Sequence, residues 1–493
     1  MSVLNNLEPV SVWKYFSEIL KIPRPSNKEE RIREYLVKFG TNLGLKTEVD
    51  SVGNVLISKT AIMGMENRKS VVLQSHMDMV CEKNSDILFD FNKDPITVWS
   101  DGQWIRAKGT TLGADDGIGI AAQLALLASS DIPHGPIECL FTVAEETGLN
   151  GAFGLESGFI KSKILLNLDS EDEGELFIGC AGGIDVTAFF DYLKQPVPKG
   201  YRALKISLTG LQGGHSGDDI QKGRGNSNKM LVRLLWEYSD QFDLLIHSFS
   251  GGNLRNAIPR EASSIVLVPE NKIHLLITET EKFNKILRSE FSLSEPNLNL
   301  QAELAQIPDW AIDEDCQANL LNSLYACPHG VFSWSQAMPD MVETSTNLAA
   351  VKFVNDRIEV TTSQRSSLES AKQNMANMVE SVFILAGAET ARSSGYPGWN
   401  PNPSSEIVEI TSRIYKNLFN TKPIVRAIHA GLECGLFLEK YPYLDMISFG
   451  PTILGAHSPD ERLDIITVKK FWDLLVEVLN QIPTDDAVTN NRA

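Results

Sequence analysis

Residues 71–78 read VVLQSHMD, a short and mostly apolar run that ends in a serine, a histidine and an aspartate. Three further apolar runs occur along the chain, IECLFTV at 137–143, ILLNL at 164–168 and YLDMISFG at 443–450. Runs of this length are typical of strands buried on both faces of a parallel sheet. Helix-like segments such as GIGIAAQLALLASS lie between them. The sequence therefore predicts an α/β fold, a mainly parallel sheet with helices on both faces.

The middle of the chain has a different pattern. Residues 201–275 give a strand, a helix and two strands, and a similar order recurs from LNLQAELA at 298–305 onwards. Alternating strands of this kind are typical of an α+β layer. We therefore predict a catalytic domain made of residues 1–186 and 398–493. An inserted α+β lid domain, residues 187–397, would interrupt it, contribute to substrate binding and dimerisation, and contain two similar halves.

Composition limits the classes of partner. The 493-residue chain carries 45 Lys and Arg against 63 Asp and Glu, a formal charge of −18. This balance argues against nucleic acid and against an anionic membrane surface, since both attract basic proteins. No basic stretch followed by an apolar one opens the sequence, and its six cysteines are scattered without a CxxC pair. We expect reduced thiols, a cytoplasmic location, and neither a membrane nor a nucleic-acid partner.

Acidic residues and histidines follow the predicted strands. In open α/β sheets, ligands bind at the carboxyl ends of the strands, so these side chains are expected to lie at one rim. Charges are rarely buried unless they are paired or bind a metal. One shared cation site would explain several placements in this set: His76, Asp78, Asp115, Asp116, Glu145, Glu146, Asp169 and, after the fourth run, His457.

Each pair in this set also has an ordinary interpretation. Asp78 could accept a hydrogen bond from the imidazole of His76 and fix its tautomer, or both could belong to a polar loop. Glu145 and Glu146 could divide between a metal and a substrate, or form a solvated acidic turn. Taken singly, these motifs are weak signals.

The ordered series SHMDMV, TTLGADDG, TVAEETG, NLDSE and GAHSPDE resembles the cocatalytic-zinc peptidase family that includes carnosinases, tripeptidases and aminoacylases. The segments GLQGGHSGDDI, GRGNSN, GGNLRNAIPREA and IHAGLECG further resemble the bacterial aminoacyl-histidine dipeptidase branch of that family. The resemblance covers essentially the whole chain. It implies an enzyme, a metallopeptidase that hydrolyses dipeptides with free termini, of the Xaa-His or carnosine-like type, by a hydroxide bridging two zinc ions.

The resemblance also implies roles for single residues. Asp115 would bridge the two zinc ions, His76 and Asp169 would complete one metal, and Glu146 and His457 the other. Glu145 would be the general base and Asp78 would orient His76. Asp116 receives no ligand role.

In the inserted domain, His215, Asn256 and Arg365 fall on positions that look like the family's substrate contacts. His215 would donate to the developing oxyanion, Arg365 would bind the terminal carboxylate, and Asn256 would help to fix the peptide. Without the resemblance, a histidine in a Gly-rich loop is more often structural. An arginine on a strand edge is usually solvated.

Several alternatives stay open. A deacylase, a carboxypeptidase or a tripeptidase would share the same metal chemistry, and a non-catalytic peptide- or metal-binding protein would share the fold. Oxygen and nitrogen ligands without thiolate suit Zn²⁺, although Mn²⁺ or Co²⁺ could substitute. We predict a homodimer formed through the lid domain, and leave open whether His215 acts within its own chain or across to a partner.

Overall fold

The computed structural model describes residues 3–336, 338, 340–402 and 404–485 and divides them into two compact units. The first unit contains residues up to 179, 399–427 and residues from 432 onwards. The second contains residues 180–398 and 428–431. The predicted domain boundaries lie at 186/187 and 397/398, and the boundaries between the two units lie at 179/180 and 398/399. The short segment 428–431, which belongs to the second unit, was not predicted.

An eight-stranded sheet forms the centre of the first unit. Its four inner strands, which lie side by side and run parallel, are Ile137–Thr142, Val71–His76, Ile164–Asn167 and Asp445–Ser448. They coincide with the four apolar runs of the sequence, and the predicted fold class is confirmed. The outer strands are Lys46–Val49 and Val55–Lys59 on one side, Glu175–Cys180 and Ile424–Ile428 on the other.

Parallel neighbours need a crossover connection, and a helix provides the first one. Ala114–Ala128 links strand Val71–His76 to strand Ile137–Thr142 and packs against the first of these strands and against helix Val10–Ile19. Its sequence is apolar on all sides, as expected for a helix buried all round. The other helices of this unit are Glu30–Asn42, Asn150–Gly154, Glu406–Phe419, Cys434–Lys440 and Ile465–Gln481.

A second, four-stranded sheet belongs to the same unit. Its strands, in order, are Ile453–Leu454, Arg462–Asp464, Trp104–Ala107 and Val98–Ser100. The first two form a hairpin whose loop, residues 455–461, carries His457. No helix among the described residues has the length and apolar character needed to cross a bilayer.

The second unit is built on a nine-stranded antiparallel sheet. Eight strands follow one another in the order Asn299–Ala305, Tyr201–Thr209, Ala262–Pro269, Leu245–Gly251, Val342–Val354, Arg357–Ser366, Gly182–Asp191 and Glu389–Arg392. The ninth, Gly330–Trp334, pairs with Val342–Val354. Two small ladders accompany the sheet, Lys194–Pro196 with Trp310–Ile312 and Gly214–His215 with Ala257–Ile258.

Four α-helices and two 3₁₀ turns complete the second unit. The helices are Ser227–Phe242, Ile273–Glu290, Glu314–Ala326 and Glu369–Leu385, and the turns are Ile220–Lys222 and Glu270–Lys272. Strand and helix side chains share one core that includes Phe249, Phe283 and Phe383. Burial of each such ring stabilises the fold by about 1.5–3 kcal/mol.

In the structure, one half of the repeat predicted from the sequence is inserted along the chain into the other half. Apart from two-residue ladder strands, residues 201–305 give strand, helix, strand, strand, helix and strand. Residues 182–191 together with 314–392 give the same order with one added strand, Gly330–Trp334. The strand order of one half mirrors that of the other, and the halves meet where Leu245–Gly251 pairs with Val342–Val354. The first half is thus inserted into the second, so the two halves are not consecutive along the chain.

Candidate functional site

The predicted acidic and histidine residues of the first unit follow the carboxyl ends of its parallel strands. His76 is the last residue of strand Val71–His76. Glu145 and Glu146 come three and four residues after strand Ile137–Thr142, and Asp169 comes two residues after Ile164–Asn167. Because these strands are neighbours and parallel, their ends meet at one rim of the sheet.

Asp115 reaches the same place from the start of helix Ala114–Ala128. Gly113 before it has a positive φ of 70°, and Asp115 itself is extended, with φ −80° and ψ 112°. The side chain of Asp116 accepts a hydrogen bond of 3.0 Å from the backbone N–H of Gly119. Asp116 therefore caps the helix, and the extended backbone separates the side chain of Asp115 from the helical turn.

His457 lies in the loop between strands Ile453–Leu454 and Arg462–Asp464. Its backbone is in the left-handed region, with φ 62°, which is uncommon for residues other than glycine. Its side chain is 54% exposed, whereas that of His76 is only 1% exposed. The site thus has one buried and one accessible imidazole.

The carboxylate of Asp115 lies between these two histidines. Its Oδ1 is 3.0 Å from Nε2 of His76, and its Oδ2 is 3.1 Å from Nε2 of His457. Asp169 Oδ1 is 3.3 Å from Nε2 of His76, and Glu146 Oε2 is 3.1 Å from Nε2 of His457. Each oxygen of Asp115 therefore faces a different His–carboxylate pair.

These residues fit a divalent cation. Ligand atoms of His76, Asp115 and Glu146 all lie within 4.8 Å of one another. The N···O separations of 3.0–3.3 Å are close to the edge, about 3.3 Å, of a tetrahedron with zinc–ligand bonds of about 2.0 Å. Glu146 Oε1 is buried without a hydrogen-bond partner among the described residues. Carboxylate oxygens and imidazole nitrogens are suitable donors for Zn²⁺ or a similar ion.

The pKa shifts of the residues at this site also agree with a bound cation. Burial raises the pKa of Asp169 to about 6 and that of Glu171, two residues further along the chain, to about 9. Burial also raises the pKa of Glu145 well above its usual value. Hydrogen bonds from the His457 imidazole to the carboxylates of Asp115 and Glu146 raise the pKa of His457 to about 11. Several carboxyl groups therefore resist ionisation where they stand, and a bound cation would favour their charged forms.

Asp78 has more contacts than the sequence suggested. Its Oδ1 is 3.4 Å from Nδ1 of His76, and the same carboxylate accepts hydrogen bonds from the backbone N–H groups of Glu145 at 3.0 Å and Glu146 at 3.3 Å. Asp78 thus fixes the backbone that carries both glutamates, in addition to facing the imidazole.

A row of buried polar side chains crosses the sheet beneath the site. Gln74 and Thr142 both donate to Oε2 of Glu433, at 2.6 and 2.8 Å, and Asn167 donates to Gln74 at 2.6 Å. Ser448 continues the row by donating to Asn167. Burial raises the pKa of Glu433 to about 8. The row contains one residue from each of the four parallel strands and thus links them by side-chain hydrogen bonds.

The three predicted substrate contacts come together in the second unit. His215 pairs with Ala257 in a short ladder, and the N–H of Ser216 donates to the carbonyl of Asn256 at 2.8 Å. Arg365 Nε lies 3.4 Å from Oγ of Ser216. Residues that are far apart in sequence therefore form one cluster within this unit.

Two details of this cluster bear on chemistry. Nδ1 of His215 accepts from the N–H groups of Gly217 at 3.3 Å and Asp218 at 3.2 Å, which favours the tautomer protonated at Nε2. Arg365 is only 6% exposed, and its guanidinium binds the hydroxyls of Ser216 and Tyr396. No carboxylate of the described residues forms an ion pair with it. The solvated-arginine alternative is therefore wrong, and this buried cation is suited to an anion. The side chain of Asn256 is exposed.

Sequence reasoning missed three buried charged residues around the site, Arg24, Glu433 and Glu461. Arg24 stands in the Pro-rich end of the first helical segment, and Glu433 and Glu461 stand inside motifs quoted for other residues. The local sequence around Arg24 and Glu433 does not indicate a buried charge, and for Glu461 the available signal was its four-residue spacing from His457.

The fold and the acid–histidine cluster are those of a metal-dependent hydrolase. Residues 72–481 match the sequence signature of peptidase family M20/M25/M40, and the chain belongs to this family. The resemblance stated from the sequence motifs is thereby confirmed.

Two relatives are similar over nearly the whole chain. The cytosol non-specific dipeptidase of Escherichia coli K12 is 45% identical over 483 residues, 98% of this chain and 100% of the relative. The crystal structure of aminoacylhistidine dipeptidase from Vibrio alginolyticus is 45% identical, with a TM-score of 0.88 over 98% of this chain and 99% of that one. Aminopeptidase PepT from Bacillus cereus, 16% identical with a TM-score of 0.57 over 97% and 99% of the two chains, shares the fold.

Proposed function

We propose that the protein is a metal-dependent dipeptidase that hydrolyses Xaa-His dipeptides with free termini. The observation that carries the proposal is the position of Asp115, whose two oxygens face His76 and His457 at 3.0 and 3.1 Å. The two relatives that are 45% identical are a non-specific dipeptidase and an aminoacylhistidine dipeptidase, which supports dipeptides as the substrate class.

In this proposal two divalent ions, zinc in the first instance, are held by the five predicted ligands. Asp115 would be shared, His76 and Asp169 would hold one ion, and Glu146 and His457 the other. Bound there, such ions would supply a water of lowered pKa and polarise the scissile carbonyl. Mn²⁺ and Co²⁺ accept the same donors.

Glu145 is the proposed general base. The backbone N–H of Glu145 donates to the Asp78 carboxylate at 3.0 Å, which fixes the backbone from which the Glu145 side chain extends. Burial raises the pKa of Glu145, and a base with a raised pKa takes a proton from water more readily. Glu145 accepts the proton of the attacking water and returns it to the leaving amine.

The second unit supplies the proposed substrate contacts. The Nε2–H of His215 donates to the oxygen that becomes negative in the transition state. Arg365, a buried guanidinium without an acidic partner among the described residues, binds the terminal carboxylate of the dipeptide. Asn256 helps to hold the peptide.

Histidine release from β-alanyl-histidine and glycyl-histidine tests the function. We expect hydrolysis with added Zn²⁺, loss of it with a chelator, and recovery when metal is restored. A tripeptide and an N-acyl amino acid in the same assay test the related amide hydrolases. Metal binding without hydrolysis of any of these would instead indicate a binding protein.

Amidation of the substrate tests the role of Arg365. If its guanidinium pairs with the terminal carboxylate, glycyl-histidine amide should lose about 2–5 kcal/mol of transition-state stabilisation relative to the acid, the range for removing one partner of a buried charge pair. The Arg365→Ala variant should lose most of this discrimination. Comparison of kcat/KM for the two substrates measures it, and equal values in the wild-type protein would rule the contact out.

Mixing of variants tests which chain supplies the substrate contacts. His215 and Arg365 lie in one cluster of one chain, so a mixture of His215→Ala with Arg365→Ala should stay inactive. A mixture of His215→Ala with Glu145→Gln tests whether His215 acts within its own chain or on the metals of a partner. Regained activity would show that a homodimer delivers His215 to the partner's metals. Absence of activity, where subunit exchange is demonstrated, would assign all roles to a single chain.

A homodimer through the second unit and a cytosolic location complete the proposal. The location is supported by the E. coli relative, which is a cytosol dipeptidase. Sedimentation of the purified protein measures the oligomeric state.

A further inference from the structure

Glu461 is a buried carboxylate that binds four successive backbone N–H groups. It is 2% exposed. Its Oε2 accepts from Leu112 at 2.6 Å and Gly113 at 2.9 Å, and its Oε1 accepts from Ala114 at 2.7 Å and Asp115 at 3.4 Å. The last of these residues is the proposed shared metal ligand.

Arg24 binds the same segment through a carbonyl. Its Nη2 donates to the carbonyl of Gly113, and its Nη1 donates to those of Met77 at 3.1 Å and Asp78 at 2.5 Å. A Cβ atom at Gly113 would lie 2.7 Å from Nη2 of Arg24, so a side chain at this position would displace the guanidinium. The carboxylate of Glu461 thus binds this segment through its N–H groups, and the guanidinium of Arg24 binds it through the carbonyl of Gly113.

Glu461 also ties two parts of the site together. It closes the loop that carries His457, where its own N–H donates to Ser458 at 3.1 Å. Through its side chain it binds the segment that carries Asp115, almost 350 residues away in the sequence. Glu461 thus connects the loop of His457, through its backbone, with the backbone of Asp115, through its side chain.

We propose that Glu461 is a positioning residue for metal binding: its carboxylate fixes the backbone of residues 112–115 and thereby sets the separation of Asp115 from His457. This inference rests on the proposed metal site. Residues that orient metal ligands in this way typically change metal affinity by about 10- to 100-fold when replaced.

Glutamine cannot replace this glutamate. Each oxygen of Glu461 accepts two N–H groups, so the NH₂ of a Glu461→Gln side chain would face two backbone donors whichever way it turned. The segment would have to move, and Asp115 would move with it.

Glu138 offers a matched control on the same sheet. It is a buried carboxylate at the start of strand Ile137–Thr142, at the end away from Glu145, and it accepts from the N–H groups of Lys161 and Ser162 and from the hydroxyl of Ser162. All three bonds go to one oxygen, which a glutamine also provides. Glu138→Gln should therefore keep the wild-type affinity for metal.

The test measures the dissociation constant of Zn²⁺ by competition with a chromophoric chelator, on proteins whose folding is checked by circular dichroism. We expect Glu461→Gln to bind at least 10-fold more weakly than wild type and Glu138→Gln to be unchanged. If Glu461→Gln does not fold, Glu461→Asp takes its place, because it keeps both acceptor oxygens and is one methylene shorter. It should also bind at least a few-fold more weakly.

Each other outcome overturns the inference. Wild-type affinity in the Glu461 variant, or equal weakening in both variants, would mean that Glu461 has no particular role at the metal. A wild-type protein that bound no Zn²⁺, Mn²⁺ or Co²⁺ would overturn the proposed function as well, so the two failures are distinguishable.

Discussion

Replacement of Asp115 by Asn should abolish metal binding at both sides of the site and essentially all peptidase activity, with the fold retained. One carboxylate faces both histidines, at 3.0 and 3.1 Å, so its loss removes an anionic ligand from each proposed ion. Asparagine keeps the shape but not the charge. Metal content after dialysis and the rate of histidine release measure the two effects.

The neighbouring aspartate provides the control. Asp116→Asn makes the same chemical change one residue along, and the amide oxygen of the new side chain can still cap the helix at Gly119. Metal content and activity should therefore remain close to wild type. Near-normal turnover of Asp115→Asn at matched metal content would show that the two-metal assignment is wrong.

Replacement of Glu145 by Gln should reduce kcat by roughly two to four orders of magnitude while the metal stays bound, the usual contribution of a general base. Glu146→Gln should act differently, because Glu146 Oε2 lies 3.1 Å from His457 in the proposed ligand set. This variant should lose metal first and activity as a consequence.

Metal analysis of the two purified variants, together with activity at saturating metal, separates the roles. Added Zn²⁺ should restore activity to Glu146→Gln in part and to Glu145→Gln not at all. Identical metal loss in both variants would contradict the division between base and ligand.

Much of the first unit could be predicted from the sequence because its strands are buried on both faces. The apolar runs at 71–74, 137–143, 164–168 and 443–450 correspond to strands that lie side by side in the structure. Residues at their ends were candidates for a site because parallel strands bring their carboxyl ends to one rim. The helix caps and loops, by contrast, were not visible in the apolar pattern.

The second unit was predictable in its elements but not in its arrangement. The repeated order of strands and helices is a local property, and the sequence showed it. Which strand pairs with which is decided by tertiary contacts, and these placed strand Gly182–Asp191, at the start of the unit, in the second half of the sheet. The sequence interpretation, in which the two halves follow one another, therefore missed that the first half is inserted along the chain into the second, although each half stays together in the sheet.

The sequence by itself determined the fold class, the family and the set of residue types that can hold a metal, because each of these depends on short motifs and on their order along the chain. Only the tertiary structure decided how those residues are held. Segments distant in sequence are joined by hydrogen bonds: four N–H groups donate to Glu461, three carbonyls accept from Arg24, and the polar row includes Glu433. A charged residue in a loop looks the same in sequence whether water solvates it or backbone groups surround it. Burial makes the difference, since a charge removed from water must find its hydrogen bonds within the protein.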